Sequence, residues 1–195
     1  MLRDLMVSKV RVKLLQAFLS QPKEIFYVRQ LVRLIGEEIN AVRRELSRME
    51  KFGMVQKEAR GNRLYYWFDP NYIFYNELLS LIGKTTGLGG QIIKRKNRLG
   101  RLKFVMLSGR FVRHLPPREG GVDLLIIGEV ILPEMAKLIQ EQEKSLGREI
   151  NYTVMSREEF IFRQRRRDPF LLGILAGSRV MIVGDEEELV GKMEN

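Results

Sequence analysis

The apolar residues of this chain change their period near residue 53, and no other feature narrows the possible folds as much. Up to that point they recur at three- and four-residue intervals, the spacing that brings side chains onto one face of a helix. Val10, Leu14, Leu15 and Phe18 do so between Val7 and Leu19, and Gln21-Pro22 stops the run. Val28, Leu31, Leu34 and Ile35 predict a second helix over Tyr27–Ile35, ending at Gly36, a residue free to take the positive φ of a tight turn. Ile39, Val42, Leu46 and Met49 form an inward stripe over Glu37–Phe52, which Gly53 closes. Beyond it the residues suit strands. Met54–Arg60 and Arg63–Phe68 flank the pair Gly61-Asn62, and Asp69-Pro70 ends the run. Two such runs around a Gly-Asn pair predict a hairpin.

Three helices, the last two joined through a Gly-containing turn, with a hairpin directly after them, follow the order of a winged helix-turn-helix. With its apolar stripe inward, the third helix turns Asn40, Arg43, Arg44, Ser47 and Arg48 outward, with Lys51 near its end. Arg donates two hydrogen bonds to a guanine edge and Asn pairs twice with adenine, whereas Ser and Lys more often hold phosphate. Arg29 and Arg33 on the second helix are expected at phosphates. Arg60, Asn62 and Arg63 at the hairpin tip are expected at the backbone or minor groove. The charge distribution agrees with double-stranded DNA as partner. Of a net +10, residues 1–70 supply an excess of six, residues 71–101 an excess of five, and residues 102–195 a deficit of one. A basic front joined to a neutral rear is the pattern of a polyanion-binding module attached to a separate domain.

The first segment resembles the winged-helix domain of ArsR-type bacterial and archaeal repressors over residues 8–70. The resemblance rests on Val28–Ile35, Asn40–Met49, the turn Phe52-Gly53-Met54-Val55, and the Gly61-Asn62 hairpin with Tyr65-Tyr66. It implies a homodimer in which each recognition helix enters a major groove of a two-fold symmetric operator. It does not imply metal sensing, because the metal-responsive members use Cys and His ligands. This chain has no Cys and a single His, His114.

Tyr72–Ile82 reads as one further amphipathic helix, followed by Gly83, Gly87, Gly89 and Gly90 and a basic helix over Gln91–Leu99. The expected organisation is a DNA-binding domain over 1–82, a basic Gly-containing linker or helix over 83–101, and a second domain over 102–195. In the last, strands over Lys103–Leu107, Val122–Ile127, Glu149–Met155 and Arg179–Val183 alternate with helices over Pro133–Ser145, Ser156–Arg165 and Pro169–Ala176. An acidic helix from Asp185 ends the chain. Such alternation predicts an α/β domain.

Phe104–Phe111 and Val122–Ile127 carry the second resemblance, to the minimal nucleotidyltransferase domain. That family places a Gly-Ser turn after its first strand to hold nucleotide phosphate, two carboxylates at i and i+2 on the next strand to bind Mg²⁺, and a third carboxylate on a later strand. Alternate strand residues point the same way, so the first two carboxylates share metal ions that bridge a triphosphate. Residue by residue, Ser108 and Gly109 take the turn, Gly121 the first carboxylate position and Asp123 the second, with Glu149 or Asn151 at the third. The Gly-Ser pair stands in reversed order, and Glu119, two residues before Gly121, is the one acid near the missing ligand.

The expected fold class is thus α+β with two domains, a winged helix-turn-helix followed by a small α/β nucleotidyltransferase-like domain. The expected function is a DNA-binding transcriptional regulator, not an enzyme, whose second domain is an inactive module for dimerisation or for a nucleotide or protein effector. The alternative is an active Mg²⁺-dependent nucleotidyltransferase acting on a protein or small molecule. No cofactor belongs to the first reading, and Mg²⁺ and nucleotide belong only to the second.

Without Cys there is no disulfide framework or thiolate metal site. The longest apolar runs, such as Phe170–Ala176, fall short of the roughly 20 residues of a membrane helix. The first residues, interrupted by Ser8, Lys9, Arg11 and Lys13, make no signal-peptide core, so a cytoplasmic location is expected. The aromatics Tyr65, Tyr66, Trp67, Phe68, Tyr72, Phe74 and Tyr75 are expected to anchor the wing rather than to stack on bases, and the run Arg163, Arg165, Arg166 and Arg167 either lies at a solvated helix end or grips DNA, nucleotide phosphate or an acidic partner surface.

Overall fold

The computed structural model describes residues 8–116, 118 and 120–191 of the 195. The chain divides into two compact units, Met1–Ile82 and Gly83–Asn195, each with helices and its own sheet.

The first unit runs α1 (Lys9–Ser20), β1 (Phe26–Tyr27), α2 (Val28–Ile35), α3 (Ile39–Lys51), β2 (Val55–Arg60) and β3 (Arg63–Phe68). α1 begins where the Ser8 hydroxyl accepts the Arg11 amide, an N-cap that satisfies one orphan donor. Its core is the meeting of three helical stripes, with Leu14, Leu31, Val42, Leu46 and Met49 wholly buried. Leu34, expected inward, is 55% exposed. A helix of eight residues has one packed side, here the turn from Leu31 to Ile35. Tyr27, expected to open the second helix, instead pairs with Tyr65 as part of β1, and the sheet order is β1-β3-β2. β2 and β3 pair antiparallel from Val55↔Phe68 to Arg60↔Arg63. Only the first of the two turn residues, Gly61 at φ 59, has positive φ, as a type II′ turn requires. Tyr66 and Phe68 alternate into the core, and Phe26 meets Phe18 edge-on at 5.7 Å.

Next along the chain is α4 (Tyr75–Thr85), inside which the division of the chain falls. The stretch expected as a basic linker or helix, residues 83–101, is built into the second unit. Most of it is α5 (Gly87–Leu99), with Leu88, Ile92 and Leu99 buried, and Gly100 already starts a strand. Gly89 and Gly90 are buried where an added Cβ would strike the backbone of Gly83 and of Thr85. These glycines mark a close crossing rather than a flexible joint.

The second unit continues with β4 (Gly100–Ser108), α6 (Gly109–Val112), β5 (Leu124–Val130), α7 (Leu132–Leu146), β6 (Tyr152–Met155), α8 (Arg157–Arg165), α9 (Pro169–Leu175), β7 (Arg179–Val183) and α10 (Glu186–Val190). The sheet order is β6-β5-β4-β7. It is mixed: β4 runs antiparallel to both neighbours, and β5 and β6, joined through α7, run parallel. Leu124, Leu125, Ile126 and Ile127 are all buried because both faces of the sheet are covered, which is why β5 reads as a continuous apolar run. One face carries Phe104, Met106, Leu125 and Ile127 against Phe160 of α8, Leu171 and Leu175 of α9 and Leu189 of α10. α5 packs on α7, with Arg95 bridging to Glu141 at 2.8 Å. Among the described residues no helix is long and apolar enough to cross a membrane.

Candidate functional site

α3 sets six polar side chains outward. Its N-cap is Glu38, whose carboxylate accepts the Ala41 amide at 2.9 Å; the amides of Asn40 and Ala41 hold that carboxyl below its ordinary range. With Val42, Leu46 and Met49 in the core, the helical period leaves Asn40, Arg43, Arg44, Ser47, Arg48 and Lys51 exposed. Among the described residues nothing hydrogen-bonds or ion-pairs the side chains of Arg43 and Arg44. Arg48 has a distant partner in Glu45, at 3.8 Å.

Glu45 is the residue that sequence reading missed. It is 3% exposed, accepting the Ser8 hydroxyl at 3.0 Å and the Arg11 guanidinium at 2.5 Å, and so locks the start of α1 to the middle of α3. Its position offered a signal, since a glutamate three residues after Val42 and four before Met49 lies within the buried stripe. Glu45→Ala leaves Arg11 without its acceptor. The expected cost is about 1.5–3 kcal/mol, the range for hydrogen bonds to charged groups, read as a lower urea midpoint at unchanged slope. The turn before α3 is braced similarly. Glu37 pairs with Lys13 at 2.6 Å and Lys9 at 3.1 Å, which holds its carboxyl below the usual range, and Lys13 also donates to the Ile35 carbonyl.

The hairpin is tied to this helix by Lys57 of β2, 2.8 Å from Glu50, a pairing that raises the lysine's pKa. Its tip differs from the expectation of two free cations. Arg60 pairs with Glu58 at 2.6 Å and stacks over Tyr65 at 5.3 Å, and Arg63 stacks over Tyr27 at 5.1 Å. Both guanidinium planes are therefore held against rings, because the edge-on pair Tyr27–Tyr65 presents aromatic faces beside them. Asn62, Arg29 and Arg33 are exposed. The aromatics split by strand alternation: Tyr66 and Phe68 are buried, Tyr65 and Trp67 half-buried, and Tyr72 and Tyr75 pack on Phe68. Phe74 is 54% exposed.

In the second unit, Ser108 ends β4 and its hydroxyl accepts the Phe111 amide, so it serves as a cap. Gly109 donates its amide to the Ser178 carbonyl at 2.6 Å, and a Cβ at that position would collide with the Ser178 hydroxyl. This close approach explains the glycine. Asp123, 2% exposed, directs Oδ2 at Arg148 (3.0 Å) and at the Asn151 amide (3.2 Å). The parallel register Leu124↔Tyr152 sets Asn151, not Glu149, beside Asp123. Glu119 lies outside the described residues. A cleft of about 340 Å³ opens here, lined among others by Ser108, Arg110, Gly121, Asp123, Phe170 and Ile174. Elsewhere in the unit, Arg163 pairs with Glu159 and Asp168, Arg166 stacks over Phe162 at 4.7 Å, and Arg165 and Arg167 are exposed.

The described residues at this cleft do not make a ligand set for Mg²⁺. The resemblance puts Gly121 and Asn151 at two of its three carboxylate positions, and Asp123, at the remaining one, has one oxygen taken by a guanidinium. Among the described residues no three Asp, Glu, His or Cys side chains come together as a metal-binding group. A hard cation needs several free anionic oxygens, and Asp123 has at most one to offer. No protein-family model, curated protein or solved structure matches the chain.

Proposed function

We propose that residues 8–68 are a winged helix-turn-helix of the ArsR-like kind and that the protein is a cytoplasmic transcriptional regulator that binds double-stranded DNA as a homodimer. The observation that carries this is the outward face of α3, where Arg43 and Arg44 stand exposed beside Asn40 and Ser47, with no side-chain hydrogen bond or close ion pair among the described residues. α3 is the recognition helix, because its outer residues are donors matched to base edges. β2 and β3 are the wing, and the guanidinium of Arg63, held over Tyr27, presents N–H groups suited to phosphate, whereas Arg60 is paired with Glu58. The second unit is a nucleotidyltransferase-like module without transferase activity, acting in dimerisation or effector binding. The Asp123–Arg148 pair supports that reading, since it engages the one acid left at the three carboxylate positions.

Fluorescence anisotropy on duplexes selected from genomic fragments tests the proposal. Affinity is expected to fall steeply with salt, with a slope of about −0.9 in log K against log salt for each phosphate neutralised. Binding that ignores salt, or that favours single strands over duplex, overturns it.

A further inference from the structure

We infer that the cleft of the second unit takes a small organic anion directly on its arginines, with no divalent cation between. The inference deepens the effector part of the function proposed above and is independent of DNA binding. A metal-dependent phosphate site is acidic: carboxylates gather the cation, and the cation gathers the phosphate. Here the sign is reversed. Arg110 and Arg118 line the cleft, and Asp123, the one acid among its described lining residues, is neutralised by Arg148. A divalent cation entering would meet two guanidiniums and a carboxylate already spent.

The arginines are placed to hold an anion. Arg110 donates Nε and Nη2 to the Pro116 carbonyl at 3.1 and 2.8 Å, which fixes its plane and leaves the Nη1 edge without an acceptor among the described residues. Arg118 makes no side-chain contact of this kind among the described residues. Its carbonyl accepts the Gly121 amide at 2.8 Å, in a turn so tight that a Cβ at residue 121 would lie 3.0 Å from that oxygen. The same turn therefore brings Arg118 to the cleft and disfavours any acid at position 121. The lining also includes the apolar side chains of Met106, Phe170 and Ile174, so the ligand has an apolar or planar body as well as a phosphate or carboxylate. A volume of about 340 Å³ lies at the lower end of small-molecule sites.

Calorimetry on the full chain with ATP and with inorganic pyrophosphate, each in EDTA and in excess Mg²⁺, tests this, together with paramagnetic resonance of added Mn²⁺. Mn²⁺ alone is expected to stay fully free. ATP is expected to bind in EDTA at least as tightly as in Mg²⁺ and more tightly than pyrophosphate. Arg118→Ala is expected to weaken it about tenfold, the loss of one charge-assisted contact. Arg110→Ala also releases the Pro116 carbonyl, so its melting curve is compared with that of Arg118→Ala, whose side chain supports no described contact. ATP binding only when Mg²⁺ is present, Mn²⁺ binding that Asp123→Asn abolishes, or no saturable binding of either probe in EDTA overturns the inference. None of these outcomes alters duplex binding, so its failure is distinguishable from failure of the DNA reading.

Discussion

The double variant Arg43→Ala/Arg44→Ala is expected to lose roughly a hundredfold or more in affinity for a selected duplex, with an unchanged melting curve. Each arginine that pairs bidentately with a guanine edge contributes about 1–3 kcal/mol of discrimination, and the loss of two compounds on a logarithmic scale. Both side chains are exposed and have no described partner, so truncating them removes nothing the fold uses. Lys51→Ala, near the end of the same helix, is expected instead to weaken all sequences alike and to lower the salt slope by about one. Retained selective binding in the double variant would remove α3 from the interface and leave the wing as the reading element.

Asp123→Ala is expected to destabilise the second unit by about 1.5–3 kcal/mol, the range for hydrogen bonds to a charged group. The carboxylate is 2% exposed and accepts both the Arg148 guanidinium and the Asn151 amide, so its removal strands a cation and a backbone donor together. Arg148 keeps a stack over Phe111 at 4.9 Å and is 31% exposed along its side chain, which tempers the loss. Asp123→Asn, which retains an acceptor for the Asn151 amide, should fall between wild type and alanine. A carboxylate held for metal chemistry behaves differently, because groups placed for function commonly cost stability. A denaturation midpoint that stays level or rises in Asp123→Ala would therefore argue against the structural role and for a functional one.

Much of the candidate interface was legible because it depends on one helix. The stripe Val42, Leu46, Met49 determines which way Asn40, Arg43, Arg44, Ser47, Arg48 and Lys51 point, and helical periodicity is local. Glu45 was not legible in the same way. Its burial depends on Ser8 and Arg11, which are more than thirty residues away in sequence and reach it only after α1 packs on α3. The wing shows the same limit. Its strands and its Gly61 turn follow from local chemistry, but the stacking of Arg63 on Tyr27 depends on β1 joining the sheet, and two residues carry no periodicity from which to read that.

In the second unit, Arg179–Val183 could be read as a strand to its ends, and Pro169 marked the start of a helix through its fixed φ. The region from residue 83 to 101 could not be read so well. Glycines that resemble a hinge in sequence are the same glycines that allow two backbones to touch, and only the presence of the second backbone distinguishes the cases.

The sequence by itself determined the order of the longer elements, the outward face of α3 and the presence of a glycine, not an acid, at position 121, since each depends on residue type or on near-neighbour spacing. Tertiary structure decided the rest. The register of β5 on β6 chose Asn151 over Glu149 as the neighbour of Asp123, and the fold of the 147–151 turn brought Arg148 to that carboxylate. Charges interact through distance in space, and no local pattern in a chain encodes which cation will lie 3.0 Å from a given acid.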